Sequence, residues 1–161
     1  MRLPPFLPHL KGLRLAEIAV TEEGLTLWLF VTRRTARCPS CQRRSHRVHS
    51  RYERTIADLP WSGTAVRLRV RVRRFLCQVA SCPQRIFAER VPQLVDRYGR
   101  RTHRLRRALQ QVGLALGGAA GARLAAFLGL PAGRTALLGL IRAAPLAPGE
   151  PPSAVGVDEF A

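Results

Sequence analysis

The sequence predicts an α+β protein in which a basic, β-rich half precedes a helical one. Two periodicities carry this reading. Val66, Leu68, Val70 and Val72 alternate with Arg67, Arg69, Arg71 and Arg73, the period of two that a strand requires. Leu105, Leu109, Val112 and Leu116 fall at i, i+4, i+7 and i+11, the spacing of one helix face. With 161 residues and 47% apolar content, the chain suffices for one ordinary domain or two small ones.

The first segment, 1–32, reads as a β-hairpin. Leu15 and Ile18 to Val20 lie on one arm, Thr21-Glu22-Glu23-Gly24 form the turn, and Leu25 to Val31 make the other arm. Thr26, Trp28 and Phe30 alternate with Leu25, Leu27 and Leu29, so both faces of that arm are expected to be covered.

The second segment, 33–92, holds the strand Val66 to Arg74 and all four cysteines, as Cys38-Pro-Ser-Cys41 and Cys77-Gln-Val-Ala-Ser-Cys82. Close pairs of this kind suit tetrahedral Zn²⁺, because each can sit on a tight turn and present two thiolates about 2.3 Å from the metal. Four protein ligands leave no open position, so the zinc would be structural. Cys38, Cys41, His46 and His49 could instead close a local knuckle, which would leave Cys77 and Cys82 unused.

The third segment, 93–144, is expected to be a helix-turn-helix domain. A first helix runs from near Tyr98 through Leu116, with Arg101, Arg104 and Arg107 on its polar side. Gly117-Gly118 breaks it; a short helix follows around Ala120 to Leu128, then Gly129-Leu130-Pro131, then a third helix from about Gly133 to Ala143. Leu124, Ala125 and Leu128 would pack the second helix, and Leu137, Leu138 and Ile141 would anchor the third. Arg134 and Thr135 are then placed for base edges or phosphates, with Arg142 and Arg123 nearer the backbone. Residues 145–153 contain four prolines and read as a linker. Residues 154–161 begin a new apolar strand, Ala154-Val155-Gly156-Val157, ending in Asp158.

Charge separates these segments further. The formal net charge is +17, and 21 of the 27 basic residues but only four of the ten acids lie between Arg33 and Arg107. A localised basic block is the electrostatic footprint of a polyanion binder, with double-stranded DNA the expected partner. Arg67, Arg69, Arg71 and Arg73 would stand about 7 Å apart along one strand face, where phosphates could dock. A zinc-containing helix-turn-helix repressor and an RNA-binding basic protein are the alternatives. Against RNA, the chain has six Phe, two Tyr and two Trp, mostly at apparent core positions, which disfavours base stacking. Met1 to Leu10 has no secretory h-region, and no apolar run approaches the roughly 18 residues of a spanning helix. A cytoplasmic protein without a membrane partner is expected, in which thiols stay reduced.

The runs CPSCQRRSHRVHSRYERTIADLPWSG, VRRFLCQVASCPQRIFAERVP, GGAAGARLAAFLGLP and VGVDEFA together resemble the N-terminal half of bacterial insertion-sequence transposases of the ISL-three family. The resemblance extends from about Arg33 to Ala161 and is looser over the first thirty residues. It implies a four-cysteine zinc domain, a helix-turn-helix for the element's terminal inverted repeats, and a ribonuclease-H-like domain with an Asp-Asp-Glu triad that uses Mg²⁺. Asp158 would be the first acid of that triad, and 154–161 the first strand of a truncated catalytic domain. The sequence departs from the family pattern in stopping three residues after Asp158, so on this resemblance the polypeptide is not expected to cut or join DNA alone. The partners expected besides DNA are further copies of the chain, as a homo-oligomer on DNA, or a separately encoded catalytic half. A fragment, a frame-shifted element and a retained binding protein are equally compatible.

Overall fold

A computed structural model describes residues 8–130 and 132–145. The expected linker beyond Pro145, the strand at 154–161 and Asp158 lie outside the described residues. Strands β1 (Leu13–Thr21) and β2 (Gly24–Val31) form the expected hairpin, turning through Glu22 and Glu23. Gly24 opens β2 at φ +121°, and a Cβ there would lie 2.4 Å from the Ala65 carbonyl oxygen, so only glycine fits.

The hairpin is not a unit of its own. β2 runs parallel to β6 (Thr64–Leu76), with Leu25 opposite Val66 and Phe30 opposite Arg71. A parallel pair needs a long crossover; here it carries β3 (Ala36–Arg37), β4 (Arg44–Ser45) and β5 (Val48–Trp61). β5 returns antiparallel to β6 along its length, and β7 (Ile86–Ala88) pairs with β6 at Arg74 to Leu76, past the end of β2. The sheet order is therefore β1-β2-β6-β5. Its inner face buries Leu13, Leu15, Leu27, Leu29, Ile56 and the β6 apolar residues Val66, Leu68, Val70 and Val72 beneath Leu10, Val91, Leu94 and Val95. Each such side chain contributes about 1.5–3 kcal/mol by leaving water, which is what holds the arginine side of β6 outward.

Helix α1 (His103–Phe127) begins later than the periodicity suggests, because the residues before it are bound to β5. The Ala57 amide donates to Arg100 O at 2.8 Å, and the Thr102 amide donates to Ala57 O at 2.9 Å. Thr102 then caps the helix, its hydroxyl accepting from the Leu105 amide at 3.3 Å. The expected break occurs at Gly117, at φ +70° and ψ −162°. Past Leu109 the buried face departs from the leucine pattern: it runs through Gly113, Gly121 and Ala125, while Leu116, Leu124 and Leu128 are 44%, 38% and 44% exposed. The expected packing roles of Leu124 and Leu128 are thus overturned. The cause is the proximity of α2 (Arg134–Arg142), since a Cβ at Gly113 or Gly121 would lie 3.0 Å from Ile141 or Leu137. Small residues make that contact and the leucines turn out. Leu137 is completely buried, with Leu138 and Ile141 partly so.

Asp58 joins the two halves. This β5 carboxylate is 2% exposed and accepts from Arg104 Nε at 2.7 Å and Nη2 at 2.6 Å, Thr102 Oγ1 at 2.6 Å and the Leu59 amide at 2.9 Å. His9 Nε2 lies 3.2 Å from it on the remaining side. Burial alone would raise its pKa. Hydrogen bonds to His9, Arg104 and Thr102, with the charge of Arg104, outweigh that and hold the carboxyl well below the usual carboxylate range.

Candidate metal centre and basic surface

Two tight turns bring the cysteines together. In the first, between β3 and β4, the Gln42 amide donates to Cys38 O at 3.0 Å and the Cys38 amide to Arg43 O at 2.9 Å; Gln42 takes a left-handed φ of +59° to close it. In the second, between β6 and β7, the Cys77 amide donates to Arg85 O at 2.8 Å and the Cys82 amide to Val79 O at 3.1 Å. Phe75 and Phe87, stacked with centroids 5.9 Å apart, seal the base of the cluster with Val48 and Val79.

The sulfur geometry decides what the cluster is. Cys38 Sγ lies 3.8 Å from Cys82 Sγ, and Cys41 Sγ lies 3.6 Å from Cys77 Sγ, all four falling within 4.8 Å of one another. A disulfide needs about 2.05 Å, whereas the edge of a tetrahedron with 2.3 Å Zn–S bonds is about 3.8 Å. The four thiols fit zinc, and each close contact joins one turn to the other. The surroundings act differently on two of the thiols. For Cys82, burial raises the pKa, but a backbone hydrogen bond at Gln84 and the neighbouring thiols bring it down to about 7. For Cys77, a backbone hydrogen bond at Val79 lowers it, but burial and the other three thiols push it up to about 12. His46 and His49 are exposed and do not join the cluster, so the local-knuckle alternative is set aside.

A closed four-thiolate site between two β-turns defines a structural zinc ribbon. Residues 34–82, less than a third of the chain, match the family described as the zinc-finger of transposase IS204/IS1001/IS1096/IS1165. The resemblance to ISL-three transposases is borne out over these residues. Neither the curated proteins nor the solved structures give a match. Among the described residues, no helix is long and apolar enough to cross a membrane.

The arginines expected to meet a polyanion have different surroundings. Arg67, Arg69, Arg71 and Arg73 do form one ladder on the outer face of β6, but carboxylates stand among them. Arg67 pairs with Glu23 at 2.6 Å, Arg69 and Arg71 share Glu53 at 2.9 and 3.5 Å, and Arg73 binds Glu89 at 2.6 Å. Arg69 and Arg71 also lie over Trp28 and Phe30, centroids 5.8 and 5.3 Å away. Arg104 is committed to Asp58 by both edges of its fork, so it fastens the fold. Arg101 bridges to Ala57 of β5. Arg123, Arg134, Thr135 and Arg142 are at least partly exposed on the helical half. Sequence reasoning missed the part played by Asp58; the available signal was an acid inside a segment of surplus arginine, next to apolar Ile56 and Leu59.

Proposed function

We propose that this chain is the DNA-holding N-terminal portion of a transposase, recognising the terminal inverted repeats of its element. The observation that carries the reading is a transposase-type zinc ribbon inside the block that holds the whole positive surplus. A zinc with no open position performs no chemistry; it holds cationic turns rigid, as docking on a polyanion requires. The second half of α1, the turn containing Gly129 at φ +69°, and α2 read as a helix-turn-helix with α2 in the major groove. Arg134 and Thr135, exposed in the first turn of α2, suit base edges, while Arg123 and Arg142 suit phosphates. Asp158 is assigned as the first acid of the triad by resemblance alone, and no cleavage step is routed through it.

The test is binding of the zinc-loaded chain to a duplex carrying the inverted repeats that flank its own gene, against a scrambled duplex and a duplex RNA of equal length. Binding to the repeat should exceed scrambled DNA by about 10³-fold or more. Arg134→Ala should cost about 1–3 kcal/mol at one base pair. Equal affinity for repeat and scrambled DNA, or preference for RNA, refutes the reading.

A further inference from the structure

Every acid in the basic block already has a partner. Glu53 serves Arg69 and Arg71, Asp58 serves Arg104, Glu89 serves Arg73, and Asp96 serves Arg106 at 2.5 Å. Glu89 is the telling case. It lies buried in an open groove of about 600 Å³ between the zinc turn and the irregular segment after β7, and Arg33, Arg34, Arg37, Arg44 and Arg90 line that groove. Both of its carboxylate oxygens are taken by Arg73, Oε2 by Nε at 3.0 Å and Oε1 by Nη2 at 2.6 Å. It therefore offers the five lining arginines little neutralisation.

All five are exposed, and none has an ion pair among the described residues. Arg37 and Arg44 stand directly opposite each other across the β3–β4 ladder, a pairing of like charges that destabilises a sheet unless an anion lies between them. The groove has no aromatic residue in its lining, so it has no platform for stacking unpaired bases. Its chemistry is that of phosphate contact.

We propose that this groove, rather than the β6 ladder, is the principal phosphate-docking surface, taking the sugar–phosphate backbone of duplex DNA. The proposal rests on the DNA-binding reading above and locates it. The ladder's four arginines are balanced by three carboxylates, whereas the groove has five cations with no free counter-charge. The zinc turn forms one wall through Pro39 and Gln42, so zinc held by Cys38 and Cys41 would fix the turn that carries Arg37 and Arg44 opposite Arg90.

The experiment measures fluorescence anisotropy of the zinc-loaded chain on a duplex of arbitrary sequence across a salt series. Substituting Arg34, Arg44 and Arg90 together by Ala should flatten the slope of log K against log salt by about 2.7, at about 0.9 per phosphate contact. The corresponding Lys triple should restore it. Substituting Arg67, Arg69 and Arg71 together by Ala should leave the slope within about one contact of wild type. As a measure independent of variant folding, arginine-selective footprinting of the unaltered chain should show duplex protection at Arg33, Arg34, Arg37, Arg44 and Arg90. Protection confined to the ladder, or a flattened slope in the ladder variant alone, overturns the groove and leaves DNA binding intact. Failure of the wild-type chain to bind duplex DNA, or tighter binding of duplex RNA, overturns the function itself.

Discussion

Replacing Asp58 by Asn keeps the shape of the side chain and removes its charge, which isolates the role of the carboxylate between sheet and helices. Two oxygens now receive Arg104 twice, Thr102 and the Leu59 amide, with His9 alongside. In the variant, one oxygen becomes an NH₂ group facing donors. Removing one partner of a buried pair costs about 3–5 kcal/mol. The Arg104 side chain is 34% exposed, so water relieves part of its stranded charge and the low end, about 3 kcal/mol, is expected. For a chain of this size that corresponds to a fall in Tm of about 6–12 °C, measured by circular dichroism on zinc-loaded protein. Adding Arg104→Met should recover much of the loss, because the stranded cation goes too. A loss below about 1 kcal/mol, or no recovery in the double variant, would refute the reasoning.

Acid should reach the same contact. The folded carboxyl sits well below its ordinary value of 3.8, so its contribution is complete above that value and is lost as pH falls from there toward the folded value. The stability gap between wild type and Asp58→Asn should therefore narrow below about pH 4 in denaturant titrations. Atomic absorption should find one zinc per chain; Cys77→Ser should release it and unfold the β3–β4 and β6–β7 turns, while His46→Ala with His49→Ala should retain it in full. Zinc occupancy should also fall on acidification, since each sulfur must be deprotonated to bind, as a chromogenic chelator would report. Gly24→Ala should destabilise by about 2 kcal/mol or more, from a strained positive φ and the approach to Ala65 O, with the zinc stoichiometry unchanged.

What was legible in the sequence follows from where one physical signal dominated. β6 was plain because its alternation of apolar residues and arginines is unbroken, and the cysteine pairs because thiolates at such spacing have few other uses. β5 was hidden because polar Ser50, Arg54 and Asp58 alternate with apolar Tyr52 and Ile56 along its inward side, which breaks the apolar alternation that marks a strand. In the helices the leucine pattern misled after Leu109, because close approach of α2 rewards absence of side chain at Gly113 and Gly121 over apolar bulk. The arginine ladder was visible as charge, but Glu23, Glu53 and Glu89 reach it from other strands and loops, which no local pattern records. The groove had a faint mark, seven arginines from Arg33 to Arg51 with no acid among them.

The parallel pairing of β2 with β6 bears on how the molecule assembles. β2 and β6 are separated by a crossover from Thr32 to Gly63, and the chain must surrender the freedom of that loop before the central pairing is rewarded. Ion capture by Cys38 and Cys82 draws together segments on either side of β5 and β6, shortening the wandering of that loop. Refolding should accordingly be slower in a chelated solution than in a metal-replete one, making zinc a kinetic participant in sheet closure as well as a constituent of the finished protein.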